Sequence, residues 1–174
     1  MIRLRMLPLL AFASLLHALP TQQQALQLAF PNCTFTRREF FLADSQAAQV
    51  KALSRADLPG LWFVGYEARL DGKLIGVGFF DTHRVRTENE TALVAVGSDG
   101  RIRRVEVIAF REPQDYAPRQ AWIDQFQGKP LNDGLSLRRD IRPLAGATLT
   151  ANALTDASRR GLALWRVFYE GSAK

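Results

Sequence analysis

The chain has one cysteine, Cys33, and two histidines, His17 and His83, among 174 residues. A lone cysteine excludes an internal disulfide and an iron–sulfur cysteine array. So few histidines exclude a His-rich metal site, and Cys33 and His83 carry no local motif of a Cys–His nucleophile pair. The apolar run from Met6 to Leu16 is too short to span a bilayer comfortably, and Pro8 and His17 interrupt it. A dinucleotide fingerprint, a haem motif and a nucleic-acid-binding motif are all missing, as are internal repeats and low-complexity tracts.

What is present fits one domain with enough residues to bury a core. Met1-Ile-Arg-Leu-Arg is a short basic head, followed by the apolar run and by small residues up to Ala18. That succession predicts a signal peptide over residues 1–20 and export to a bacterial periplasm. The alternative is an uncleaved N-terminus that anchors the protein to a membrane. The formal net charge is +6, with arginines paired at Arg37-Arg38, Arg103-Arg104, Arg138-Arg139 and Arg159-Arg160. Scattered pairs without a nucleic-acid motif predict a solvated surface with affinity for anions or acidic partners, and no nucleic acid.

Residues 25–44 are mixed and aromatic, and no element is assigned to them. Ser45 to Ala56 predicts a helix capped by Asp44 or Ser45 and stopped by Pro59-Gly60. Leu61 to Leu70, then Asp71-Gly72, then Leu74 to Phe80 predict a hairpin. Gly76 and Gly78 mark either a bulge or a close backbone approach. Thr91 to Gly97 and Ile102 to Phe110 predict two further strands around Ser98-Asp99-Gly100. Both faces of the last strand hold apolar residues, as in a sheet covered on both sides.

After Pro113 the pattern turns helical, with Pro118 near the first turn and Trp122 and Phe126 as core residues, up to Gly128. Residues 131–147 read as a loop with one short strand near Leu135 to Leu137. A final helix is predicted from about Ala151 to Val167, its stripe formed by Leu154, Ala157, Gly161, Leu162, Trp165 and Phe168. Asp156, Arg159, Arg160 and Arg166 lie off that stripe. The expected fold class is α+β, an antiparallel β-sheet with helices packed on it.

The segment Leu144-Ala-Gly-Ala-Thr-Leu-Thr150 runs from loop into this helix. Gly146 and Ala147 bring no bulky side chain, so backbone can approach a ligand. Thr148 offers a hydroxyl, and either Thr148 or Thr150 can cap the helix. The unpaired N–H groups of a first helical turn suit an anion.

Three pieces stand in order along the chain. They are the Gly-rich hairpin Val64 to Gly78, the strand into Arg111-Glu112-Pro113-Gln114-Asp115-Tyr116 with Trp122 to Lys129 behind it, and Ala145-Gly-Ala-Thr-Leu-Thr-Ala-Asn-Ala-Leu154. This succession resembles the FMN-binding domain family of periplasmic electron-transfer proteins, found in subunits of the sodium-pumping NADH:quinone reductase and related membrane complexes. The resemblance covers roughly residues 60–166. It implies a domain over 60–170, preceded by a helix-bearing extension over 21–59.

The resemblance also implies FMN, attached by a phosphodiester to Thr148 through a flavin transferase. Ala145, Gly146, Ala147, Leu149 and Thr150 would surround that phosphate. Glu112 and Tyr116 would lie toward the isoalloxazine ring, Tyr116 stacking on it and Glu112 bonding a ring edge or a backbone donor. Two positions depart from the family pattern: Ala145 replaces a Ser or Thr, and Arg142 replaces an acidic residue, with Asp140 a substitute two residues earlier. Arg142 could pair with the phosphate of a noncovalent FMN. Lys129 and Asn152 are softer candidates for an anion contact, and His83 is expected in an exposed loop.

The leading expectation is a periplasmic electron-carrier flavoprotein, a redox module more than a stand-alone enzyme, with a membrane reductase or cytochrome as electron partner. The alternatives are a noncovalent FMN-binding sensor or delivery module, and a structural subunit whose site has lapsed.

Overall fold

The computed structural model describes residues 19–170. The expected signal peptide over 1–20 lies outside the described residues, except for Leu19 and Pro20. The first helix, α1 (Gln22–Ala29), is closed by a reciprocal cap. Thr21 Oγ1 accepts the Gln24 N–H at 3.2 Å, and Gln24 Oε1 accepts the Thr21 N–H at 2.9 Å. Strand β1 (Thr34–Phe41) and helix α2 (Asp44–Ser54) follow. Then come β2 (Trp62–Leu70), β3 (Lys73–Arg84), β4 (Asn89–Gly97) and β5 (Ile102–Phe110). A 3₁₀ turn (Gln114–Tyr116), the short α3 (Gln120–Ile123) and a second 3₁₀ turn (Asp124–Phe126) lead toward the long α4 (Thr148–Trp165). A wider π turn over Arg166–Glu170 continues it.

The strands form one antiparallel sheet in the order β1-β2-β3-β4-β5, so the fold is α+β with helices packed on an antiparallel sheet. Each strand pairs with its sequence neighbour, as the turn chemistry demands. Asp71 and Gly72 both adopt positive φ, 50° and 78°, the pair of left-handed residues that a tight hairpin turn needs. Both faces are covered, as the apolar residues on both sides of β5 predict. On one face α4 and α2 pack Leu154, Leu162, Trp165 and Val50 against Phe79, Val94 and Val96. On the other, α1 sets Ala25, Leu26 and Phe30 on Ala68, Phe80, Leu93 and Ala95.

The two strand glycines serve both roles weighed for them. The β2–β3 register shifts beside Ala68 and Arg69, where Ala68 pairs with Gly76 and Arg69 with Leu74. A side chain at Gly76 would overlap the Phe30 ring and the Val96 carbonyl, and one at Gly78 would meet Leu26 and Leu93. The glycines therefore admit α1 onto the sheet.

Several elements differ from expectation for identifiable reasons. β1 carries Arg37, Arg38 and Glu39 and buries only Phe40, so its sequence lacks strand patterning; pairing with β2 holds it. α2 is capped by neither Asp44 nor Ser45. Its N-cap is Ala43, whose N–H donates to Gln46 Oε1 at 3.0 Å, while Asp44 sits in the first turn near the positive helix end. The helix after Pro118 shrinks to a few residues of α and 3₁₀ turn, and the strand near Leu135 is reduced to a single Leu137–Ile141 bridge. α4 begins at Thr148, ahead of the expected Ala151.

His83 is the largest correction. β3 runs past Phe80 to Arg84, and His83 is buried in it rather than exposed in a loop. Its Nδ1 lies 2.9 Å from Asp81 Oδ1 and its Nε2 3.4 Å from Glu90 Oε2, with Glu90 fully buried on β4. Arg160 of α4 reaches the same carboxylate with a two-point fork, Nε to Asp81 Oδ2 at 2.7 Å and Nη2 to Oδ1 at 2.8 Å. Arg159 is buried as well, donating to the Ser54, Asn132 and Leu135 carbonyls. The last arginine pair is thus interior, not part of a solvated face.

Burial alone would lower the affinity of His83 for a proton. Hydrogen bonds and charge from Asp81 and Glu90 override it and raise the imidazole to about 9. Burial likewise opposes ionisation of Asp81, yet the Arg160 fork and His83 hold it near about 2. A raised histidine stabilises the fold fully below its unfolded value of 6.5 and loses that contribution as pH climbs through about 9. The urea midpoint should therefore decline across this window by on the order of a few kcal/mol in stability, and His83→Gln should flatten it. A second test concerns Gly161, where an added Cβ would come within 2.6 Å of Val94 Cγ1. Gly161→Ala should destabilise by about 1–2 kcal/mol in denaturant titration, because overpacking against a buried strand outweighs the helix-propensity gain.

Candidate functional site

The start of α4 is built for open backbone donors. Gly146 takes φ +76°, with nothing within 4 Å of where a Cβ would stand. Ala147 is the N-cap and has no side-chain acceptor to offer the first turn. Neither Thr148 nor Thr150 caps the helix, because both lie inside it. Thr150 instead donates its hydroxyl to the Tyr116 carbonyl at 3.0 Å, tying the 3₁₀ turn to α4. Among the described residues nothing bonds the Thr148 hydroxyl, and Thr148 is exposed.

This turn forms one wall of a pocket of ≈ 200 Å³. Gly146, Ala147, Thr148, Leu149 and Thr150 line it from α4, with Glu112 and Tyr116 from the segment after β5. Val85 and Arg86, at the β3–β4 turn, complete it. Most of the residues expected at the site are thereby brought together. Ala145 and Arg142 line a neighbouring cavity of ≈ 500 Å³, which shares Ala147 and includes Trp122. Arg142 is held by its backbone: its N–H donates to Gln125 Oε1 at 2.7 Å, and its carbonyl accepts from Trp122 Nε1 at 2.8 Å. Lys129 lies at neither cavity, and Asn152 lines a third one with Arg55 and Asp156.

Glu112 takes the backbone-donor role of the two open to it. Its Oε1 accepts three successive N–H groups, from Arg86 at 3.0 Å, Thr87 at 2.7 Å and Glu88 at 2.8 Å. These backbone bonds hold the carboxyl below the usual glutamate range. With its charge spent on the turn, Glu112 opposes an incoming anion less than a bare carboxylate would. The same clamp fixes the backbone of Arg86, an exposed arginine that lines the pocket together with the start of α4.

No protein-family model matches this chain, and no curated protein matches it. The chemistry of the pocket is therefore read from its own geometry. Unserved N–H groups, a guanidinium and a free hydroxyl suit a phosphate or similar anion, while Tyr116, Val85 and Leu149 offer apolar surface to the body attached to it.

Sequence reasoning missed Val85 and Arg86. They reach the pocket only because the β3–β4 turn folds back onto Glu112, a contact across two dozen residues that leaves no local signal. Glu112→Ala should release this clamp. Amide hydrogen exchange at Thr87 and Glu88 is expected to accelerate markedly, while amides in the middle of β4 keep their protection.

Proposed function

We propose that the chain is a periplasmic FMN-binding electron-transfer protein, with the flavin phosphate on the first turn of α4 and joined to Thr148. The observation that carries this reading is the exposed, unbonded Thr148 hydroxyl at an uncapped helix start, with Arg86 lining the same pocket. The donor set fits the phosphate of FMN. A phosphodiester keeps one negative charge, which the open N–H groups and Arg86 can receive. The pocket itself is smaller than the roughly 300–1,000 Å³ of a whole ligand site. It would hold the phosphate end with Tyr116 beside it, and the neighbouring ≈ 500 Å³ cavity, which shares Ala147 in its lining, is the space proposed for the rest.

When bound, FMN supplies the redox chemistry, as cofactors generally do. The protein's part is to position and to exclude. Thr148 fixes the attachment point, Gly146 and Ala147 leave the backbone accessible, Arg86 neutralises charge, and Tyr116 presents an aromatic surface. Ala145, Leu149 and Thr150 shape the rim, and Glu112 positions Arg86. A flavin transferase would join Thr148 Oγ1 to the FMN-side phosphorus of a flavin adenine dinucleotide, breaking the pyrophosphate bond so that AMP leaves and the hydroxyl proton is released. A membrane reductase or cytochrome would exchange electrons with the flavin.

A second reading is noncovalent FMN, held as a sensor or delivery module. Ala145 and Arg142, which depart from the transferase-recognition pattern, favour it, as does an arginine already placed at the pocket. Exported protein coexpressed with a flavin transferase should gain the mass of one FMN less water and fluoresce in a denaturing gel, and Thr148→Ala should abolish both. Unmodified protein that purifies yellow would overturn the covalent reading in favour of the noncovalent one. In that case Arg86→Ala should weaken FMN binding at least about tenfold, and Arg142→Ala, at the neighbouring cavity, by a smaller factor. Colourless protein under both conditions would mark a lapsed site.

A further inference from the structure

α1 covers its face of the sheet over the inner strands and leaves an open groove beside it. α1 has eight residues and reaches over Ala68, Phe80, Leu93 and Ala95. Beyond its N-terminus lies an open groove of ≈ 390 Å³, lined by Gln22, Arg37, Trp62, Val64, Tyr66 and Thr82 among others. Phe41 and Trp62 pair across β1 and β2 on this face, their rings stacked with centroids 6.2 Å apart. They stand 70% and 52% exposed, and Leu19 and Leu28, before and within α1, are 48% and 54% exposed. Two large aromatic side chains thus stand exposed side by side on this face.

Three observations select the occupant. The chain enters α1 at Gln22, which itself lines the groove, and the sequence just before it holds the apolar run Met6 to Leu16 behind Arg3 and Arg5. Tryptophan with an aromatic neighbour prefers the boundary between apolar and aqueous phases. The neighbouring edge strand β1 carries Arg37, Arg38 and Glu39, which discourage strand-to-strand pairing with a second copy.

We infer that the Phe41–Trp62 face docks on the surface of a lipid bilayer. Among the described residues no helix is long and apolar enough to cross a membrane, and the contact inferred is interfacial. α4 packs on the opposite face of the sheet, so the Thr148 pocket is not pressed against the lipid in this pose. The inference takes the N-terminus as uncleaved, and it does not depend on what that pocket binds.

The N-terminal run could bring the chain to vesicles by itself, so the decisive readout is where Trp62 sits rather than whether binding occurs. Full-length protein is mixed with vesicles of phosphatidylethanolamine and phosphatidylglycerol whose acyl chains are brominated, and tryptophan emission is followed. Trp62 is one of three tryptophans, so quenching of roughly a third of the emission is expected if the three contribute equally. Trp62→Phe should remove that quenching while leaving vesicle association in place, and Trp122→Phe should retain it. Equal quenching in wild type and Trp62→Phe would overturn the inference. So would Trp62 emission already blue-shifted without lipid and unresponsive to it, the sign of a face covered by the protein's own N-terminus or by a second copy.

Discussion

One buried contact sets the geometry from which the candidate site follows: the fork from Arg160 on α4 to Asp81 on β3. An α-helix rises about 1.5 Å per residue, so Thr148 lies roughly 18 Å before Arg160 along α4. β3 ends at Arg84, three residues beyond Asp81, and the turn after it carries Arg86 to the pocket. The fork therefore fixes α4 on the strand whose following turn shares a pocket with the helix start. A buried ion pair is weak support for stability as such, since desolvation cancels most of its attraction. Its worth here is in register. Helix and strand can slide against each other only by stranding a carboxylate among His83 and Glu90, themselves buried.

The pocket's electrostatics depend on a division between two charged side chains. A bare carboxylate in the lining, such as Glu112, repels an anion. Three backbone donors absorb that charge, and the turn so formed presents Arg86. The acid is consumed in placing the base. This arrangement makes a site receptive to negative charge out of a lining whose formal charges cancel.

Turn chemistry made the sheet legible. Asp71-Gly72 and Ser98-Asp99-Gly100 announce hairpins because few residues tolerate positive φ, and Gly146-Ala-Thr announces a helix start for the same reason. Edge strand β1 was illegible because an edge is shielded by charge, so its pattern is that of a surface loop. Polar burial was illegible for a different reason. Asp81, His83, Glu90 and Arg160 compensate one another only after three elements meet, and each alone reads as solvent-exposed. The candidate site divides along the same line. The α4 wall and Glu112 with Tyr116 lie in segments whose local chemistry points to them, whereas Arg86 is delivered by a tertiary contact.

The meander order has a kinetic consequence. Every strand pairing joins neighbours in sequence, and from β2 to β5 the connections are short, so their closure entropy is small. The β1–β2 connection is longer and carries α2. α4 is different, since it packs on strands made much earlier in the chain and draws its neutralising partner, Asp81, from 79 residues away. Hairpins can thus zip locally while Thr148 still belongs to an unanchored segment, and the pocket wall closes only when the last helix docks. A group attached to that threonine would meet its cradle at the final step of folding, so the order of attachment and docking decides whether it is received or excluded.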